Sequence, residues 1–181
     1  KLANEANCAS SGELTDGADR GMKDFFAVAL GTGLGSGIVA NGQLIYGKTG
    51  MAGEMGHITA IPDGRLCGCG RRGCLETYAS ATGLVRTGLE RKREATDLSS
   101  AKIAEAARMG EEWARATSEW TGELLGRVLA DAAVILGPEA IIISGGVAQG
   151  GELIFAPTRA HFEANLLNVF KNTVRILPSG L

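Results

Sequence analysis

The sequence has little of what marks several specialised classes of protein. Among its 181 residues no apolar run approaches the ~20 residues of a membrane-spanning helix, so we expect no membrane partner. Eighteen Lys and Arg residues balance twenty Asp and Glu residues, which argues against a nucleic-acid-binding surface, because phosphate binding relies on clustered basic charge. The four cysteines are few and mostly confined to one stretch, which favours a reducing cytoplasm over a disulfide framework.

Apolar patterning and turn residues predict an α/β domain with a mixed sheet, because three antiparallel strands precede alternating helices and strands. The predicted strands span 25–30, 37–40, 43–46, 140–146 and 173–177. The predicted helices span 4–14, 75–93, 101–109, 111–136 and 152–167. Asn41-Gly42 is a strong hairpin signal between the second and third strands. Ser99 or Ser100 is placed to cap the third helix.

Three of the four cysteines and one of the two histidines lie in the glycine-rich stretch "HITAIPDGRLCGCGRRGCLE" (57–76). The group consists of His57, Cys67, Cys69 and Cys74, separated by nine, one and four residues. Three thiolates and an imidazole suit tetrahedral Zn²⁺, and four protein ligands make a closed, structural site. Such a site contributes ~10–16 kcal/mol of apparent binding free energy, enough to hold a loop without a core. The alternative is three free or oxidised thiols beside a bystander histidine.

Two glycine turns are candidates for a nucleotide site. The segment "LGTGLGSG" (30–37) joins two strands and lacks the Lys-Ser/Thr of a P-loop, and it does not open a Rossmann unit. Bare glycine amides beside Thr32 can still surround phosphate oxygens. The segment "ISGG" (143–146) follows a buried strand, where a nucleotide can lie against exposed backbone. Either turn alone is more often only a tight turn, but the pair favours a nucleotide site.

Five segments together resemble the C-terminal half of the ROK family of sugar kinases and related repressors, in particular its bacterial glucokinase-like members. They are "NEAN", "LGTGLGSGIV", "GEMGH", "CGCGRRGCLE" and "IIISGG", in the family's order and over nearly the whole chain. The resemblance implies an actin-like ATPase (ribonuclease H-like) fold with two lobes and a cleft between them.

The resemblance also implies that residues 1–181 form the C-terminal lobe, with a zinc-binding, sugar-recognition loop over 50–76. The family's N-terminal Asp-x-Gly-Gly-Thr phosphate motif and its final helix are absent from this sequence. The chain begins without Met at "KLANEANCAS" and stops at "ILPSGL", so we expect it to be a piece of a longer protein. We expect the piece alone to be inactive, and a homodimer is expected because dimers are common in the family.

By the same resemblance, a set of polar side chains contacts the sugar: Asn4, Glu54, His57 and Glu76, with Glu5 at the hydroxyl to be phosphorylated. Zinc on His57 would fix the imidazole ring and leave its second nitrogen for a ligand. The alternatives are that Glu54 caps a helix and that Glu76 is only exposed. The resemblance further assigns the nucleotide phosphates to Thr32 and Gly33. It assigns the adenosine to Gly145 and Gly146, with Mg²⁺ accompanying ATP.

The stretch "NEAN" departs from the Asn-Asp-Ala-Asn of the family's kinases, in which the Asp is the base. Glu5 keeps the carboxylate but moves it by about 1 Å, and such a shift can lower a rate ~10²-fold. A Glu here is also familiar in the family's repressors. We predict ATP-dependent phosphorylation of a hexose, because the rest of the sugar-binding set agrees with the family's kinases. A non-catalytic sugar-sensing repressor domain is the alternative. A structural zinc module that binds another protein is a third possibility, and the sugar itself stays open.

Overall fold

The computed structural model describes residues 21–180, which form a five-stranded mixed sheet with helices. The strands are β1 (Phe25–Leu30), β2 (Leu34–Ala40), β3 (Gln43–Leu44), β4 (Ala140–Ser144) and β5 (Arg175–Pro178). Their order in the sheet is β3-β2-β1-β4-β5. The strands β1, β2 and β3 pair antiparallel in sequence order. β4 pairs parallel with β1, and β5 pairs parallel with β4. This topology confirms the predicted α/β class and mixed sheet.

The helices are α1 (Glu76–Ala79), α2 (Ala81–Arg91), α3 (Ser100–Arg108), α4 (Glu112–Leu136) and α5 (Glu152–Asn165). Short 3₁₀ turns cover Met55–His57, Ala148–Gly150 and Asn168–Phe170. None of the helices within 21–180 has the length and apolarity to cross a membrane. The predicted helix over 4–14, and with it Asn4 and Glu5, lies outside the described residues.

The single helix predicted over 75–93 is wrong, because the chain breaks it at Ser80. Ser80 is extended (φ −78°, ψ 169°), and its hydroxyl accepts a hydrogen bond from the Gly83 amide. A serine in this conformation satisfies an orphan amide and begins a new helix. Ser99, rather than Ser100, caps α3 by accepting from the Lys102 amide.

The strand bounds also differ from the prediction at glycine-rich ends. β2 begins at Leu34, three residues before the predicted start, because Leu34 pairs directly with Leu30 across the hairpin. β4 ends at Ser144, since Gly145 turns the chain with a φ of 93°. β3 ends at Leu44 rather than at residue 46.

The main core lies between one face of the sheet and the helices. It joins fully buried side chains of the strands and of α4 and α5, including Val28, Leu125, Leu129, Ile141 and Phe162. Alternate strand residues form a smaller cluster on the opposite face, including Phe25, Ala27, Val39 and Ile142. The parallel pair β1 and β4 therefore sits in the middle of the domain, with both carboxyl ends at one edge of the sheet.

Candidate functional site

The four predicted metal ligands, His57, Cys67, Cys69 and Cys74, lie together in the fold. Each offers one ligand atom, and these atoms all lie within 4.8 Å of one another. Cys69 Sγ lies 3.7 Å from Cys74 Sγ, and Cys67 Sγ lies 3.6 Å from His57 Nδ1. Tetrahedral zinc with Zn–S bonds of about 2.3 Å would separate neighbouring sulfurs by about 3.8 Å. The donor set and its spacing therefore fit a zinc ion.

The segment 57–74, which carries all four of these side chains, is called the ligand loop. Backbone hydrogen bonds fold it tightly around the cluster. The Cys67 amide donates to the Arg71 carbonyl at 2.9 Å, and the Gly70 amide donates to the Cys67 carbonyl at 3.0 Å. Gly73 has a φ of 74°, and a Cβ there would lie 1.7 Å from the Ile61 carbonyl oxygen. Only glycine fits at such a position, because the turn needs both the left-handed backbone and the empty space.

The thiols of the cluster differ in acidity. Burial raises the pKa of Cys74 to about 12, and the neighbouring thiols add to this shift. The backbone amide of Arg71 is the main cause of a lowered pKa at Cys69. A metal ion must therefore displace a firmly held proton from Cys74, so metal affinity depends on pH.

His57, one of the four cluster residues, also lies close to the Glu54 carboxylate. Its Nδ1 faces Cys67, while its Nε2 lies 3.9 Å from Glu54 Oε2. Both side chains are about one-third exposed, so both can reach a ligand. Glu54 is the residue before the 3₁₀ turn, but its side chain makes no capping hydrogen bond. The segment is pressed against β2, because a Cβ at Gly56 would lie 2.4 Å from the Leu34 carbonyl oxygen.

Glu76 links the metal cluster to the first glycine turn. Its Oε2 accepts a hydrogen bond from the Leu34 amide at 3.0 Å, and its Oε1 lies 3.8 Å from Cys67 Sγ. The carboxylate approaches the turn so closely that a Cβ at Gly33 would lie 2.6 Å from Oε2. Glu76 is partly buried and engaged in the site, so the reading of Glu76 as merely exposed is wrong.

The first glycine turn is held in place by the start of α2. The Ala81 amide donates to the Gly31 carbonyl at 2.8 Å, and the Thr82 hydroxyl donates to the Thr32 carbonyl at 2.9 Å. The sequence pattern did not identify Thr82, because a threonine at a helix start is common and carries no distinctive spacing.

The second glycine turn lies against the end of β1. A Cβ at Gly145 would lie 2.5 Å from the Leu30 carbonyl oxygen, whereas the space around Gly146 is open. The Val147 amide donates to the same Leu30 carbonyl at 3.1 Å. The two turns thus meet at one edge of the sheet, as expected for the carboxyl ends of parallel neighbours.

A cavity of about 340 Å³ opens beside the first turn, a volume within the range of small-ligand pockets. It is lined by Thr32, Gly33, Leu66, Gly68, Glu76, Thr77, Ser80, Thr82, Gly83 and Arg86. Three of the predicted site residues therefore share this cavity. Glu54 lines a different, mostly apolar cavity of about 500 Å³ with Met55, Ile58 and Ile135.

Comparisons with known proteins agree with these features. The ROK family model matches residues 1–181. The glucokinase of Halalkalibacterium halodurans is 41% identical over 177 residues, which are 91% of this chain and 54% of that protein. The crystal structure of a ROK family glucokinase from Streptomyces griseus, in complex with glucose and AMPPNP, matches with a TM-score of 0.88 and 36% identity. That match covers 99% of this chain and 63% of the other.

A regulator is structurally as similar as the kinase. The crystal structure of a ROK family transcriptional regulator, a homolog of the Escherichia coli MLC protein, matches with a TM-score of 0.89 and 27% identity. The match covers 99% of this chain and 47% of that one, so the chain spans about half to three-fifths of the length of these relatives. The five-stranded mixed sheet is that of the ROK sugar kinases, an actin-like ATPase fold. The chain belongs to the ROK family.

Proposed function

We propose that the protein phosphorylates a hexose hydroxyl with ATP, and that residues 1–181 are the C-terminal lobe of this glucokinase-like enzyme. The observation that carries the proposal is the position of Glu76, whose carboxylate lies between the metal cluster and the first glycine turn. A kinase needs its sugar and its nucleotide phosphates side by side, and Glu76 adjoins both candidate sites. The similarity to glucokinases, one of them in complex with glucose and AMPPNP, supports the same activity.

The sugar would be held by acceptors on the two segments that flank the metal cluster. Glu54 and Glu76 line different cavities of the lobe, and contacts through His57 and Cys67 connect the two. Glu54 and Glu76 carry carboxylates, each with several lone pairs that can accept from neighbouring hydroxyls. Such charge-assisted hydrogen bonds are short and strong, so they orient a pyranose well. Asn4 and Glu5 would reach the reacting hydroxyl, with Glu5 as its base.

The metal would be zinc on His57, Cys67, Cys69 and Cys74, where it supplies a closed structural site and no chemistry on the substrate. With Nδ1 of His57 turned toward the cluster, Nε2 remains for a sugar hydroxyl. The proposed loop over 50–76 is thus the sugar-recognition element. Its glycines fold the backbone, and its ends present His57 and Glu76.

The nucleotide phosphates would lie on Thr32 and Gly33, and the adenosine on Gly145 and Gly146. The bonds from α2 fix the first turn, so its backbone is ordered before a ligand arrives. Phosphoryl transfer depends on positioning and on charge neutralisation, which is why Mg²⁺ is expected with ATP.

A second candidate is a sugar-responsive regulator without kinase activity. It is favoured by Glu5 in place of the kinases' Asp and by the TM-score of 0.89 to a ROK regulator. The sugar site would be the same in both cases, whereas the nucleotide turns would have no catalytic use.

The two candidates are separated by a coupled assay of ADP formation. The full-length protein is purified and incubated with ATP, Mg²⁺ and either glucose or N-acetylmannosamine. A kinase releases ADP only when its sugar is present, and we expect this result. Sugar binding by calorimetry without any ADP release would favour the regulator and contradict the kinase. If Glu5→Asp raises turnover by about 10²-fold, the native protein is an impaired enzyme.

A further inference from the structure

Arg65 is buried inside the ligand loop, although the sequence places it in a polar, glycine-rich stretch. Its exposed fraction is 9%. The guanidinium donates to the Thr77 carbonyl at 2.7 Å, to the Gly83 carbonyl at 3.3 Å and to the Thr87 hydroxyl at 3.0 Å. It also pairs with the Glu90 carboxylate. A buried guanidinium is tolerated only when its donors are satisfied in this way.

Aromatic rings and backbone hydrogen bonds also hold Arg65 in place. The guanidinium carbon lies 4.5 Å from the centre of the Tyr78 ring and 5.8 Å from that of Trp120. The Arg65 amide donates to the Tyr78 hydroxyl at 2.8 Å, and the Arg65 carbonyl accepts from the Gly73 amide at 2.8 Å. Arg65 therefore connects the ligand loop with α1, α2 and α4 through one side chain.

The two carbonyls that Arg65 binds lie on either side of the helix break at Ser80. Thr77 is in α1 and Gly83 is in the first turn of α2. A four-residue helix cannot hold its own geometry, because helix nucleation is unfavourable and its last carbonyls lack partners. The guanidinium of Arg65 supplies a hydrogen-bond donor for the Thr77 carbonyl and, through the Gly83 carbonyl, connects α1 with α2.

The first residue of α1 is Glu76, next to Thr77. The direction of its carboxylate toward the Leu34 amide depends on where α1 lies. The ion pair with Glu90 does not explain the burial of Arg65, because the Glu90 side chain is 54% exposed and such pairs contribute little to stability. The bonds to the backbone of α1 and α2 are what a lysine would fail to reproduce.

We propose that Arg65 is a positioning residue for Glu76. By locking α1 against α2, it keeps the Glu76 carboxylate between the metal cluster and the glycine turn, where the sugar is proposed to bind. The kinetic consequence rests on the proposed function, whereas the placement of Glu76 against Leu34 does not.

The test compares Arg65→Met with Arg65→Lys and with the matched control Arg91→Met in the full-length protein. Arg91 lies on α2 and its guanidinium is 5.9 Å from the same Trp120 ring, but it is exposed. We expect Arg65→Met to lower kcat/KM for glucose by about 10- to 100-fold, mainly through KM, as residues that orient ligands do. We expect the kcat/KM of Arg65→Lys to lie between those of Arg65→Met and the unaltered protein. We expect the kcat/KM of Arg91→Met to stay within about twofold of the unaltered protein.

A double-variant cycle separates positioning from a general structural role. If Arg65 acts through Glu76, combining Arg65→Met with Glu76→Gln lowers kcat/KM little further than Glu76→Gln alone. Losses that multiply would overturn the proposal. If Arg65→Met does not fold, Thr87→Val removes a single acceptor from the same guanidinium, and the cycle is run with that variant.

Hydrogen–deuterium exchange keeps the proposal testable even if no hexose is phosphorylated. The peptide that contains Leu34 exchanges faster in Arg65→Met than in Arg91→Met if Glu76 loses its position. Equal exchange in the two variants would overturn the proposal. The absence of sugar turnover in the unaltered protein, together with a changed Leu34 peptide, would contradict only the proposed function.

Discussion

Gly73 and Gly68 belong to the same ligand loop but differ in what they tolerate. Gly73 has a left-handed backbone and would place a Cβ 1.7 Å from the Ile61 carbonyl oxygen. A Cβ at Gly68 would meet no atom within 4 Å. We predict that Gly73→Ala disrupts the loop and loses bound zinc, whereas Gly68→Ala keeps it. Elemental analysis after desalting measures this, and equal zinc in both variants would contradict the proposed role of the loop.

The acidity of Cys74 predicts how zinc affinity responds to pH. In the metal-free chain its pKa is raised to about 12, so it carries a proton throughout the neutral range. Zinc binding releases that proton, and the apparent affinity therefore rises with pH, by about tenfold per unit from Cys74 alone. Competition with a chelator at pH 6, 7 and 8 measures the slope. An affinity independent of pH would show that the thiols do not bind the metal.

Sequence reasoning found the residues whose chemistry is distinctive and missed those whose roles come from packing. Cysteines at short spacing indicate a metal site before any fold is known, and the structure does bring these side chains together. The sequence pattern did not identify Arg65, because nothing in a glycine-rich loop predicts that Tyr78 and Trp120 will lie against its guanidinium. The hydrogen-bond partners of its guanidinium lie 12 to 25 residues away along the sequence, and only the fold brings them close.

Helices α4 and α5 share the main core, and a glycine of α4 lets the two backbones approach closely. A Cβ at Gly126 would lie 2.4 Å from the Thr158 carbonyl oxygen and 2.8 Å from the Phe162 amide nitrogen. We predict that Gly126→Ala lowers the free energy of unfolding by about 1–3 kcal/mol, because backbone atoms cannot move aside cheaply. The exposed Glu119→Ala on α4 is the control. Thermal unfolding measures the difference, and equal melting temperatures would contradict this view of the helix pair.

The elements were easier to predict than their ends. Continuous apolar runs predicted β1 and β4, and the Asn41-Gly42 turn predicted the β2–β3 hairpin, because these signals are local. The break at Ser80 depends on a competition that periodicity does not report. A serine hydroxyl that accepts from Gly83 favours a new helix start over continuation.

The whole domain brings three separate segments of the chain to one place. The parallel pairing of β1 and β4 aligns the two glycine turns. Hydrogen bonds from α2 and from Glu76 hold the ligand loop beside the first of these turns. The chain is similar both to glucokinases and to a ROK regulator, and the proposed sugar site would serve either candidate function of this chain.

The central claim is that a metal-held loop forms the sugar site, and glucose binding before and after zinc removal tests it most directly. The full-length protein is analysed for zinc, and its glucose affinity is measured by calorimetry with and without chelation. We predict one zinc per chain and a loss of glucose binding on chelation that returned zinc restores. Unchanged glucose affinity in a zinc-free, folded protein would contradict the account.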